Sequence, residues 1–394
     1  SSLNYLAFTD GSIFNQSIDK LPHNLKYLDL RITFNQPIDN LPNNLIYLIL
    51  GYNFNQPINN LPPKLETLEL GKAFNYPIEN FPSSIKSLKI GSDFSHPLNN
   101  LPSNLLYLEL CSHTGHTINY IPKTIETLII YNEDDFIIDI LPPNLIRFEM
   151  WHTYNHPIPN GTLPNSIECL MLNGYNHSVN KDNLPTNLKE LSLGSFNQSL
   201  DDLPNGLIKL YTGWDFNQSL DKLPEGLLHL GISHVFDKPI DKLPNSLTHL
   251  KIAKWYSTGL NRPIDNLPPN LVYLSVGNGF EQKIEKLPKS LKYLELGHNF
   301  NQSVDNLPNG LEYLKIHGHK FQQSIHKLPD NLIGLSIYNM DYDKLILRFP
   351  KKLKQLELPS EYKHKLDNLP KNVQIIKHST DGSFITPYDR CTDN

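Results

Sequence analysis

Cysteine is almost missing from this chain: Cys111, Cys169 and Cys391 are the three among 394 residues. They are widely spaced, so no disulfide framework holds the fold, and a reducing compartment suits them better than secretion. No run of about 18 apolar residues occurs, which excludes an ordinary transmembrane helix, and no signal-like apolar stretch follows Ser1. Charged residues make up only 19%, with a net charge of −5, so the basic stripe that a nucleic-acid surface needs is lacking. Phrases that carry chemistry are also missing. There is no C-x-x-C, no H-E-x-x-H, no Gly-rich phosphate loop and no nucleophile elbow. Cys111, His113 and His116 have a spacing a metal could use, with His152 in a later coil, but no zinc-site phrase accompanies them. Acids such as Asp39 and Glu79 recur at one position of many repeats, as a solvated face does. No catalytic residue, cofactor or metal is therefore expected.

What the chain has is a repeat. The phrase L-P-x-x-L-x-x-L-x-L-G-x-x-F-N-Q-P-I-D-N appears almost intact from Leu41 to Asn60 and returns about every 20 residues. Its Leu-Pro step stands, for example, at Leu21, Leu61, Leu101, Leu203, Leu243, Leu307 and Leu369. One such unit cannot bury its own apolar face, so copies must stack into a solenoid. The expected architecture has a parallel β-sheet on its concave face and extended or 3₁₀ turns on its convex face. About 18–19 repeats of 20–24 residues fill residues 1–377, and 378–394 form a C-terminal cap or tail.

Within a copy, Leu45-x-x-Leu48-x-Leu50 alternates as a half-buried strand does. Gly51 and its equivalents mark the turn after it. Phe54 and its equivalents from Phe14 to Phe321 are expected to form a buried aromatic spine. The following asparagines, Asn55 among them, are expected to be buried and to bond turn backbones of adjacent coils. The sequons Asn15-Gln16-Ser17 and Asn197-Gln198-Ser199 read as by-products of that phrase, not as glycan sites. Closely spaced prolines leave no room for a long helix on the return.

L-x-x-L-x-L is the strand signature of leucine-rich repeats, and F-N-Q-P-I resembles the FNIP repeat known from social amoebae and giant DNA viruses. The match runs from Leu3 to about Lys377. The resemblance implies a leucine-rich-repeat-like curved solenoid and an intracellular setting, the host cytoplasm for a viral protein. Many FNIP proteins carry an N-terminal F-box, which implies substrate recognition for a ubiquitin ligase where one precedes the solenoid. Here Leu3-x-x-Leu6-x-Phe8 already reads as a repeat strand.

Counting the first strand leucine as position one, positions three and five face the concave surface. Position three holds Tyr27, Tyr47, Tyr107, Arg147, His229, His249, Tyr273, Tyr293 and Tyr313; Trp151 replaces the usual glycine at position seven. Tyrosine rows beside mixed charges suit protein binding, because Tyr supplies area and a hydrogen bond at low entropic cost. They equally suit plain exposed strands that stack on their neighbours. Position five is charged or variable, as at Asp29, Glu69, Lys89, Glu109, Glu149, Glu295, Lys315 and Glu357. The repeat is least regular from Cys111 to Leu200 and around Trp255–Thr258, where loops on a regular scaffold often carry function. The expected function is a non-enzymatic scaffold for a protein partner. Its alternative is a self-assembling protein, with a homodimer formed through the C-terminal end.

Overall fold

Alternation and period together dictate one short strand per copy, and this is what the chain forms. The computed structural model describes residues 3–9, 11–98, 100–111, 121–131, 141–151, 154–252 and 259–378. Its contacts group into two units, Ser1–His177 with Lys181–Leu193, and Ser178–Asn180 with Gly194–Asn394. Unit 1 contains β1 (Tyr5–Ala7), β2 (Tyr27–Asp29), β3 (Tyr47–Leu50), β4 (Thr67–Leu70) and β5 (Ser87–Ile90). It continues through β6 (Tyr107–Leu110), β7 (Thr127–Ile130), β8 (Arg147–Met150), β9 (Cys169–Leu172) and β10 (Glu190–Leu193). Unit 2 contains β11 (Lys209–Tyr211), β12 (His229–Ile232), β13 (His249–Ile252), β14 (Tyr273–Ser275) and β15 (Tyr293–Leu296). It ends with β16 (Tyr313–Ile316), β17 (Gly334–Ile337), β18 (Gln355–Pro359) and β19 (Gln374–His378).

Each unit is a parallel β-solenoid in which every strand pairs with the next copy. Leu48 lies opposite Leu68, and Leu68 opposite Leu88, so the inward rows are leucine on leucine. Leu45, Leu48 and Leu50 are at most 1% exposed. Burying each such side chain contributes about 1.5–3 kcal/mol, which a single copy could not collect alone. The final strand departs from this order. By repeat position Gln355 should face Ile375, yet it faces Gln374, after a turn in which Asn372 has φ of 67°.

Behind the sheet runs the aromatic spine. Phe14, Phe34, Phe54, Phe74 and Phe94 stack with centroids 6.0 to 6.2 Å apart. In unit 2, Phe321 passes the stack to Tyr342 and Tyr362 at 5.8 and 6.2 Å. Paired strands are only about 4.8 Å apart, so within each unit the coils are wedges whose narrow side is the sheet.

The return contains no helix among the described residues; it runs as extended chain and isolated turns, as expected. In each, a proline carbonyl accepts from the N–H three residues on, as from Leu45 to Pro42 at 3.0 Å. The asparagines correct an expectation, since Asn15 and Asn55 are exposed. Asn35 Oδ1 accepts from the Asn55 N–H at 2.9 Å, and Asn55 Oδ1 from the Asn75 N–H at 3.0 Å. These bonds run over the surface because the preceding Phe, not the Asn, fills the interior.

Candidate binding face on the sheet

With positions four and six committed to the core, the strands turn positions three and five outward. Register places position three of successive copies side by side. In unit 1 the row runs from Tyr5 and Tyr27 through Tyr47, Thr67, Ser87, Tyr107, Thr127 and Arg147. Tyr5 stacks on Tyr27 at 4.3 Å, and Tyr47 lies tilted against Tyr27 at 5.8 Å. In unit 2 His229 stacks on His249 at 4.3 Å, His249 on Tyr273 at 5.8 Å, and Tyr273 on Tyr293 at 4.5 Å.

The residues singled out from sequence differ in accessibility. Tyr47 and Trp151 are exposed at 43% and 37%. Tyr27, Tyr107, Arg147, His229, His249 and Tyr313 are half-buried. Tyr273 and Tyr293 are buried, at 2% and 0%, which corrects the expectation that they present their rings to a partner. They lie inside the stack, with Lys315 Nζ over the Tyr293 ring at 5.5 Å.

Position five brings a larger correction. Asp29, Glu109, Glu149, Glu295, Lys315 and Glu357 are all buried although they point away from the core. Residues two places before and after lie on the same face and fold over the shorter acid. Glu109 accepts from Tyr107 Oη at 2.6 Å and from Lys89 Nζ at 2.7 Å. Glu149 pairs with Arg147 and accepts from Trp151 Nε1 at 2.7 Å. Glu295 accepts from Ser275 Oγ at 3.0 Å and lies 2.7 Å from His317 Nε2. Glu357 accepts from Ser336 Oγ at 2.9 Å and Tyr338 Oη at 2.7 Å. A buried carboxylate is tolerable only with such partners. The acids thereby act as struts that hold the larger side chains upright.

These struts mark the ring hydroxyls electrostatically. Burial, and then the bond to Glu109, raises the Tyr107 phenol well above its usual range; burial and Glu357 do the same to Tyr338. Burial and the Glu109 charge push the Cys111 thiol up to about 11, which keeps it protonated at neutral pH. Burial, followed by the nearby His229, lowers His249 to about 4.

Position seven supplies part of the face that sequence reading largely missed. A Cβ on Gly71 or Gly91 would lie 2.0 or 2.1 Å from the preceding copy's carbonyl oxygen, so these turns need glycine. Where Cys111, Tyr131 and Trp151 stand instead, their N–H groups continue the pairing to Ile90, Leu110 and Ile130 at 2.7 to 3.0 Å. The strand connection thus gains one position, and Tyr131 stacks on Trp151 at 5.7 Å. His317 and Tyr338 repeat the arrangement in unit 2, stacked at 4.6 Å. Consecutive loss of the position-seven glycine was the available signal.

Other features lie apart from this face. Two insertions, at Asn160-Gly161 and Lys181-Asp182, line a pocket of about 570 Å³ with Asn165, Asn183 and Thr186. His113, His116 and His152, the insertion at Trp255–Thr258 and residues 379–394 lie outside the described residues. Among the described residues no group of three or more His, Cys, Asp or Glu could hold a metal, and no helix is long and apolar enough to cross a membrane.

The described geometry has relatives. Among solved structures, CroV588 of the giant virus CroV, a circular LRR protein, is 34% identical to this chain with a TM-score of 0.72. The match covers 95% of this chain, which spans only 59% of that one. YopM from Yersinia enterocolitica, 21% identical with a TM-score of 0.53, covers 91% of this chain and 84% of its own, and shares the fold. No curated protein matches. The model of the FNIP Repeat matches residues 34–73, 74–112, 154–195, 196–233, 260–299 and 280–319, more than half of the sequence. The chain belongs to the FNIP repeat family.

Proposed function

We propose that this protein is a non-enzymatic scaffold that binds a protein partner through the outer face of its sheet. The observation that carries this reading is the set of buried acids under the rings. Each fixes a Tyr, Trp, Arg or His in one orientation, so a partner meets side chains whose ordering entropy has already been lost. Aromatic and arginine side chains held this way are the usual anchors of protein interfaces. The neighbours with leucine-rich-repeat folds support a scaffold, and three scattered cysteines support a reducing, intracellular setting.

The test substitutes accessible anchors. Trp151→Ala together with Tyr313→Ala should reduce recovery of a co-purifying partner at least about tenfold, with the β-sheet circular dichroism signal retained. Undiminished recovery refutes the reading. Self-association through the C-terminal end is the competing reading. Light scattering with and without residues 378–394 distinguishes them, since a dimer lost on truncation favours it.

A further inference from the structure

The ring row of unit 1 has one break that faces an unused charge. Tyr47 stands on β3 and Tyr107 on β6, while β4 and β5 between them carry only Thr67 and Ser87 at position three. Three strand spacings separate the two tyrosines, about 14 Å between backbones. Beyond the break, Gly71 and Gly91 bring no side chain over the face. Its floor is Glu69, half-buried and set in register between Ile49 and Lys89.

The other acids in that row are taken. Asp29 pairs with Arg31 at 3.1 Å, Glu109 with Lys89 at 2.7 Å, and Glu149 with Arg147. Glu69 makes no hydrogen bond or ion pair with a described residue, nor do the hydroxyls of Thr67 and Ser87. Three polar groups without a hydrogen bond or ion pair to a described residue therefore share the two strands between the tyrosines, with Lys89 the opposite charge that acts on Glu69. Burial raises the Glu69 carboxyl above its usual range; Lys89 partly opposes this, and Glu109 and Asp29 add to it. The local excess is negative.

We propose that this break receives an arginine side chain of a partner polypeptide, with its guanidinium on Glu69. The proposal deepens the sheet-face reading and rests on it. An anion is excluded by the carboxylate. A lysine ammonium is strongly hydrated and compact, and has neither a plane to stack on a ring nor a fork of donors that matches a carboxylate. A guanidinium is planar, stacks on tyrosine, and donates from several N–H groups at once, to Glu69 and to the oxygens of Thr67 and Ser87.

The probe is the peptide acetyl-Gly-Arg-Gly-amide, titrated into the methyl-labelled full chain and followed by NMR. Saturable shifts are expected at the methyls of Ile49 and Thr67. A peptide with neutral citrulline in place of arginine should bind about tenfold more weakly, and Glu69→Gln should weaken the arginine peptide equally. Glu69→Gln keeps shape, and an unchanged melting curve confirms its fold. Equal binding of both peptides, or no saturable shift at Ile49 and Thr67, overturns the arginine site. If that happens while Trp151→Ala with Tyr313→Ala still loses the partner, only the arginine site falls; if that variant keeps its partner, the sheet-face reading itself has failed.

Discussion

Phe54→Ala is the perturbation that most cleanly exposes how a stack of identical copies shares its stability. Phe54 is fully buried and lies between Phe34 and Phe74, 6.2 Å from each. Removing the ring costs its transfer energy and leaves a cavity that the stacked coils cannot close, together about 3–5 kcal/mol. Part of this is the loss of two ring contacts, each about 0.5–1.5 kcal/mol. Because a copy touches only its neighbours, the loss should stay within β2, β3 and β4. Hydrogen exchange is the suitable assay. Amides of those three strands should exchange faster by the full penalty, whereas β15 and β16 keep their wild-type rates. Tyr52→Ala, at a position 50% exposed, serves as the control and should change little. Acceleration spread evenly over all strands would refute nearest-neighbour coupling. Rates unchanged at β3 would refute the buried spine.

Three further outcomes are expected. Asn55→Ala should cost about 0.5–1.5 kcal/mol in urea denaturation, the worth of one surface-run hydrogen bond to Asn75, while the exposed Asn59→Ala is nearly silent. Glu149→Ala should cost about 1–3 kcal/mol, because Trp151 Nε1 and the partly solvated Arg147 both lose their acceptor, and Trp emission should shift to the red. His249 titrates near 4 when folded, below the ordinary 6.5, so its neutral form contributes stability above pH 6.5 that is lost as pH falls from there toward 4. His229→Ala should raise the His249 midpoint in an NMR titration; an unchanged midpoint assigns the whole shift to burial.

The core was readable because its signals are local and repeated. Leu48 and Leu50 follow from alternation, and Phe54 from its fixed place after the glycine. The spine was legible only where it is spelled Phe: Tyr154 and Tyr175 continue it at 6.2 Å with a different letter. The outer face was read less well, since burial there depends on neighbours in other copies. Nothing in Tyr293 itself reports that Tyr273 stacks on it and that Lys315 lies across its ring. Likewise Glu109 becomes a buried strut because Lys89, twenty residues earlier, lies beside it. Asn55 was expected inside because an amide that bonds backbone is often buried, but here the bond closes along the surface. The one-residue slip of the last strand follows no repeated signal, and the Leu369-Pro370 step looks like any other.

Site-specific photocrosslinking tests the central claim most directly. The full chain would carry benzoylphenylalanine at Tyr47, Trp151 or Tyr313 on the outer face, or at the exposed Asn59 or Asp241 on the return. Crosslinks to one protein partner from the first set and none from the second are the predicted result. Crosslinks to that partner from Asn59 and Asp241 alone would contradict it.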